Sequence, residues 1–160
     1  MKRKYISRII EPDILAAARE FPVVVLTGPR QTGKSTLLTH LFPSHAYVTL
    51  DDPMLQRLAT DDPELFLSSY PVPVIIDEIQ CVPGRLPYIK MKVDADRGAN
   101  GQYLLTGSQM FSLMQGVTES LAGRAVLFEL LGFSSEELSY KKKQPSLDDC
   151  FARLFEHLEK

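Results

Sequence analysis

Eight consecutive residues, Gly28-Pro29-Arg30-Gln31-Thr32-Gly33-Lys34-Ser35, fit the pattern G-x-x-x-x-G-K-[ST]. Those residue types at that spacing wrap backbone around the phosphates of a nucleoside triphosphate carrying Mg²⁺. Gly28 and Gly33 permit a chain path that a Cβ would obstruct. Successive N–H groups then face inward as a nest for phosphate oxygens. The helix that opens near Lys34 adds its unsatisfied N–H groups and the positive end of its dipole. Lys34 is expected to reach the β- and γ-phosphates, and the Ser35 hydroxyl to ligate Mg²⁺. Thr36 follows directly and joins the loop residues as an expected nucleotide contact.

Two carboxylates, Asp77 and Glu78, close the apolar run Val74-Ile75-Ile76. One acid at such a strand end can hold Mg²⁺ through water, the role expected of Asp77. The next can take a proton from an attacking water, the role expected of Glu78. Helix caps also place acids after strands, so the pair gains its meaning from the phosphate loop upstream. Tyr103-Leu104-Leu105-Thr106-Gly107-Ser108 is a further apolar run ending in small polar groups. Ser108 is the first candidate to sense a γ-phosphate or orient water, and Thr106 the second. An N-cap for the following helix accounts for Ser108 nearly as well. Arg124 could neutralise transition-state charge on a neighbouring subunit's nucleotide, or simply pair at the surface. Asp51 and Asp52 read as caps rather than ligands.

The elements that must position these groups alternate along the chain. Residues 12–20 suit a helix with Ile14, Leu15 and Ala18 on one face. Apolar runs at 23–27, 47–50, 72–76, 102–106 and 125–130 read as strands. Asp52-Pro53 and Asp62-Pro63 each pair an N-cap aspartate with proline at the first helical position. Helices are expected over 83–97 and 110–121. Alternation of this kind implies parallel pairing, and near-continuous apolar strands imply a sheet covered on both faces. After Gly132 the rhythm ends. Residues 141–145 look like a linker, and Ser146 caps a helix whose Leu147, Phe151, Leu154, Phe155 and Leu158 form an apolar stripe. The division expected is a core over 1–139 followed by a linker and amphipathic helix over 140–160.

In order, the phosphate loop, Leu50-Asp51-Asp52-Pro53, Ile75-Ile76-Asp77-Glu78-Ile79-Gln80, Leu104-Leu105-Thr106-Gly107-Ser108 and Ser120-Leu121-Ala122-Gly123-Arg124 resemble a known family. They are similar to the AAA+-type ATPases of bacteria and archaea that carry a carboxyl-terminal domain of unknown function after this core. The resemblance runs from about Tyr5 to Ser139. It implies an α/β P-loop NTPase, a three-layer sandwich with a parallel sheet of order 5-1-4-3-2. It also implies that Ser108 stands at the first-sensor position and Arg124 near the arginine-finger position. Relatives of that kind continue for a further domain, which the chain as given, ending at Lys160, does not reach.

Composition bounds the remaining choices. The chain of 160 residues is 44% hydrophobic, with 18 basic against 20 acidic residues, so no global field recruits nucleic acid or an anionic membrane. Basic clusters at Lys2-Arg3-Lys4 and Lys141-Lys142-Lys143 lie near the ends and read as solvated tails. Two cysteines make no disulfide framework. No apolar run approaches the ~18 residues of a membrane span, and no signal-peptide core opens the chain, so a cytoplasmic ATPase using ATP and Mg²⁺ is the expectation. A homo-oligomer or a protein partner fits that role. The competing readings are a non-catalytic nucleotide switch, a small-molecule kinase and a nucleic-acid-binding module.

Overall fold

The structure, a computed structural model, describes residues 5–108, 116, 117 and 119–143. Five of the apolar runs form strands: β1 (Val23–Thr27), β2 (Ala46–Thr49), β3 (Val74–Asp77), β4 (Tyr103–Gly107) and β5 (Ala125–Glu129). They make one sheet in the order β2-β3-β4-β1-β5. All the pairings are parallel. Read from the other edge, this is the order 5-1-4-3-2 expected from the resemblance.

Period-two alternation sorts the central strands into two faces. Val23, Val25, Val74, Ile76, Tyr103 and Leu105 join a buried cluster with Phe66, Leu86, Ile89 and Val93. Those partners come from α3 (Pro53–Asp61), α4 (Pro63–Ser69) and α5 (Leu86–Ala95) and their surroundings. The alternate residues Val24, Leu26, Ile75 and Leu104 are equally buried. Here α1 (Glu11–Glu20) and α2 (Lys34–Leu41) supply Ile14, Leu37 and Leu38. α1 packs on β1, and α2 on β3 and β4. The result is a three-layer α/β sandwich.

Local chemistry sets the element ends. Asp52 accepts the N–H of Met54 at 2.8 Å and Asp62 that of Leu65 at 2.9 Å, so both Asp-Pro pairs start helices as expected. Several expected boundaries move: the fourth strand is Tyr103–Gly107 rather than 102–106, and the fifth ends at Glu129 rather than 130. The third strand begins at Val74 rather than Val72, because Pro73 has no N–H to give the ladder. The second strand covers Ala46–Thr49, leaving Leu50 as a buried loop residue. The helix expected from Pro83 begins at Leu86, after short 3₁₀ turns at Ile79–Cys81 and Pro83–Arg85. Pro87 cannot donate back to Pro83, so a helix accommodates it only in its first turn. Residues 116, 117, 119 and 120 are helical; the rest of the helix expected over 110–121 lies outside the described residues.

Among the described residues, those within 10–132 form one compact unit, and 5–9 with 133–143 belong to a second. The smaller unit contains α6 (Ser135–Lys143), so residues 141–143 continue a helix instead of opening a linker. Ser134 and Glu137 form a capping box at its start. The Ser134 N–H donates to Glu137 Oε2 at 2.7 Å, and the Glu137 N–H to Ser134 Oγ at 3.1 Å. Glu137 Oε1 also accepts Arg8 Nε and the Ile9 N–H, each at 3.0 Å, and the Arg8 guanidinium lies 4.4 Å from the Phe133 ring centre. Burial alone would raise the Glu137 pKa. The N–H groups of Ile9 and Ser134 and the Arg8 guanidinium outweigh that and hold it below the usual value. The amphipathic helix expected over 146–158 lies outside the described residues.

Candidate active site

The carboxyl ends of β1, β3 and β4 lie at one end of the sheet, where the start of α2 and Tyr47 of β2 join them. β1 runs out at Thr27, and the loop turns at Gly28 with φ of 138°. A Cβ on Gly28 would lie 2.2 Å from the Leu130 carbonyl oxygen, a residue tied to the same place by its N–H bond to Thr27 O at 2.8 Å. Only glycine fits there. Gly33 has φ of 91° and opens α2 without any side-chain cap. The first N–H groups of that helix therefore face the loop without an intrahelical acceptor. Pro29, Arg30, Gln31 and Thr36 are exposed around it, and Gln31 also takes a left-handed conformation with φ of 63°.

Lys34 is 5% exposed. Its Nζ donates to the carbonyls of Gly28 and Pro29, both at 2.9 Å. The cation thus sits inside the turn where phosphate oxygens are expected, held by two neutral acceptors. Thr32 Oγ1 braces the same turn by donating to Pro29 O at 3.0 Å.

Asp77 is 6% exposed at the end of β3, and three hydroxyls converge on its carboxylate. Ser35 Oγ lies 2.8 Å from both carboxylate oxygens. Tyr47 donates its phenolic O–H to Oδ2 at 2.8 Å, and Thr106 donates to Oδ1. The Tyr47 pKa is pushed up to about 12, by burial first and then by its hydrogen bond to Asp77 and that residue's charge. Its hydroxyl is a donor throughout the neutral range. Ser35 and Asp77 together are a hard oxygen pair of the kind Mg²⁺ accepts alongside phosphate oxygens, so the residues present fit the ion.

Glu78 adopts the left-handed conformation, φ 56° and ψ 45°, which turns its side chain away from the strand direction. Its N–H donates to Thr106 Oγ1 at 3.2 Å. Its Oε2 accepts Ser108 Oγ at 3.0 Å and the Gln80 amide nitrogen. Gln80 Nε2 also lies 3.2 Å from Ser108 Oγ, while Gln80 Oε1 is buried with no partner among the described residues. Glu78, Gln80 and Ser108 thus form a closed polar triangle beside the Asp77 carboxylate.

The structure brings Gly28 to Thr36, Asp77, Glu78 and Ser108 together, and leaves Arg124 elsewhere. Arg124 O accepts the Val23 N–H at 3.2 Å, which places it at the opening end of β1, opposite the loop. Its guanidinium grips Asp94, Nε to Oδ1 at 2.6 Å and Nη2 to Oδ2 at 3.1 Å, beside a groove of about 400 Å³. That pairing, by hydrogen bond above all, holds the Asp94 carboxyl below its ordinary value. Asp52 caps α3, and Asp51 is exposed.

Sequence reasoning missed Tyr47 and Gln80. The signal for Tyr47 is alternation: Tyr47 and Thr49 share one strand face, and Tyr47 stands across from Ile75, two residues before Asp77. Thr106, the second candidate after Ser108, bonds the Asp77 carboxylate and the Glu78 backbone N–H.

Residues 20–139 match the family model described as "AAA domain". Two curated relatives, the uncharacterized protein Rv2008c of Mycobacterium tuberculosis and the uncharacterized protein Mb2031c of Mycobacterium bovis, are each 38% identical over 125 residues, 76% of this chain. The chain spans 28% of the length of each. Among solved structures, the Walker-type ATPase PABY2304 of Pyrococcus abyssi superposes with a TM-score of 0.56 at 18% identity, over 85% of this chain and 56% of that one. At that identity the likeness speaks for the fold.

Proposed function

The chain belongs to the AAA domain family, and from that membership we propose that it binds ATP with Mg²⁺ and hydrolyses the γ-phosphate. The observation that carries this reading is the convergence of Lys34, Ser35, Asp77 and Glu78 at one end of the sheet. The loop amides and the open start of α2 hold the phosphates, and Lys34 exchanges its two carbonyl acceptors for phosphate oxygens. Ser35 and Asp77 would hold the metal ion, which would supply charge neutralisation to the phosphates. Glu78 takes the proton of a water whose oxygen bonds to the γ-phosphorus. The bond to the β–γ bridging oxygen breaks, and ADP carries away that electron pair. Thr106 keeps the two acids in register, and Ser108 aims Glu78. Coupling of this cycle to a protein partner, and service by Arg124 to the nucleotide of a second copy, belong to the same proposal.

A second reading, a nucleotide-dependent switch without turnover, is favoured by one observation. Glu78 Oε2 accepts from both Ser108 and Gln80, so that oxygen is already engaged while the triangle stays closed. Calorimetric titration with ATP·Mg²⁺ and assay of phosphate release, on wild type, Lys34→Ala and Glu78→Gln, separate the outcomes. The ATPase reading expects binding lost in Lys34→Ala, and binding kept with turnover down about 10²–10⁴-fold in Glu78→Gln. Tight binding with no release in wild type supports the switch. Unchanged binding by Lys34→Ala sinks both.

A further inference from the structure

We infer that Tyr47, on the edge strand β2, is a positioning residue for the metal ligand Asp77, and that its hydroxyl is needed for the Mg²⁺-dependent part of ATP binding. This rests on the ATP reading above.

Sheet order makes the argument. β3 lies between β2 and β4, so the Asp77 carboxylate is flanked by both neighbouring strands. Thr106 grips it from β4 and Tyr47 from β2, while Ser35 approaches from α2. An ionised carboxylate is acceptor-only, and each O–H aimed at it fixes one direction of its lone pairs. The three donors are not equivalent. Ser35 is itself a proposed ligand: its oxygen would serve the ion while its O–H goes on donating to Asp77. Thr106 donates its O–H to Asp77 and accepts the Glu78 N–H, so it ties the carboxylate to the backbone of the next residue. Tyr47 approaches from the strand opposite Thr106 and lies 2.8 Å from Oδ2, while Thr106 donates to Oδ1 and Ser35 reaches both oxygens. Without Tyr47 the carboxylate loses one of its two lateral anchors and can rotate about its last bond. The residue type matters too. Tyr47 is 44% exposed, a costly place for a ring on an edge strand unless its polar tip has a task. The reach of the phenol lets a strand one position from β3 touch a carboxylate two residues beyond its register partner Ile75.

Outer partners of metal ligands change metal affinity by about 10–100-fold when removed. A half-exposed hydroxyl that is one of three donors belongs at or below the foot of that range, about 3–10-fold. The experiment measures ATP affinity by calorimetry in excess Mg²⁺ and in EDTA for wild type, Tyr47→Phe, Asp77→Asn and the double variant, with thermal melting of each. Tyr47→Phe should weaken binding about 3–10-fold in Mg²⁺ and not in EDTA, with melting unchanged, and should do nothing further in the Asp77→Asn background. A Mg²⁺ titration of Tyr47→Phe identical to wild type overturns the inference while leaving the ATP reading intact. So does an equal loss in EDTA, or a full additional loss in the double variant. Wild type that binds no ATP under either condition overturns the ATP reading first, and this inference with it.

Discussion

The backbone carbonyl of Leu130 occupies the space a side chain on Gly28 would need, 2.2 Å from an ideal Cβ. The exit from β5 is therefore moulded against the entry to the phosphate loop, and the loop's shape depends on a strand that contributes no chemistry. Gly33 differs: its φ is also positive, at 91°, but nothing lies within 4 Å of its Cβ position. Gly28→Ala is expected to cost about 3 kcal/mol or more in chemical denaturation, since backbone must move. Gly33→Ala should cost about 1–2 kcal/mol, from left-handed backbone strain alone. Equal losses at the two positions would refute the close-approach argument.

Ser108 should act through Glu78. Its hydroxyl donates to Glu78 Oε2 at 3.0 Å, and removing one such orienting bond lowers turnover without touching phosphate affinity. Ser108→Ala is expected to slow phosphate release by roughly 10-fold, a fraction of the about 10²–10⁴-fold that the base itself supplies. Added to Glu78→Gln it should cost nothing more, because residues acting as a unit are not additive. Additive rate losses in the double variant would give Ser108 an independent role.

His45 gives the fold a pH dependence near neutrality. Burial lowers its pKa from the ordinary 6.5, opposed in part by the Gly101 carbonyl, which lies 3.3 Å from Nε2. Above 6.5 both the folded and the unfolded chain carry neutral imidazole, and the stability is fully present. As pH falls below that value the unfolded chain takes up the proton first, so stability declines until the folded-state pKa is passed. His45→Gln should flatten the drop in melting temperature between about pH 7.5 and 5.5. A variant whose curve parallels wild type removes His45 from the account.

Glu137 should set the local stability of the smaller unit. Its carboxylate accepts the N–H groups of Ile9 and Ser134, so hydrogen exchange at those two amides reads it directly. Glu137→Ala is expected to lower their protection by about 2 kcal/mol, the range for bonds to a charged acceptor. Glu137→Gln should lose less, because glutamine also completes a capping box. Its depressed folded-state pKa adds a contribution present above the ordinary 4.5 and lost as pH falls through the folded value. Protection unchanged in Glu137→Ala would show that these amides are held by something else.

Much of this was legible in the chain because it is local. The loop pattern, the Asp-Pro helix starts and the apolar strands each need only neighbours in sequence. Strand order followed from the resemblance rather than from periodicity. What escaped was lateral. Tyr47 and Asp77 lie far apart in the chain and meet only because β2 pairs with β3. Likewise the division of labour between Thr106 and Ser108 depends on where the Glu78 left-handed turn points each carboxylate. The helix boundary at Leu86 and the helical run through residues 141–143 were misjudged where proline and lysine composition outweighed packing.

The placement of Arg124 carries a geometric consequence. It sits by Val23, while the loop begins after Thr27, so the length of β1, roughly 16 Å at ~3.3 Å per residue, separates the guanidinium from the chain's own phosphate turn. If this arginine meets a triphosphate, that triphosphate sits on another copy. Two copies then exchange arginines across a twofold axis, or the contact runs head to tail and ends as a ring or a helical filament.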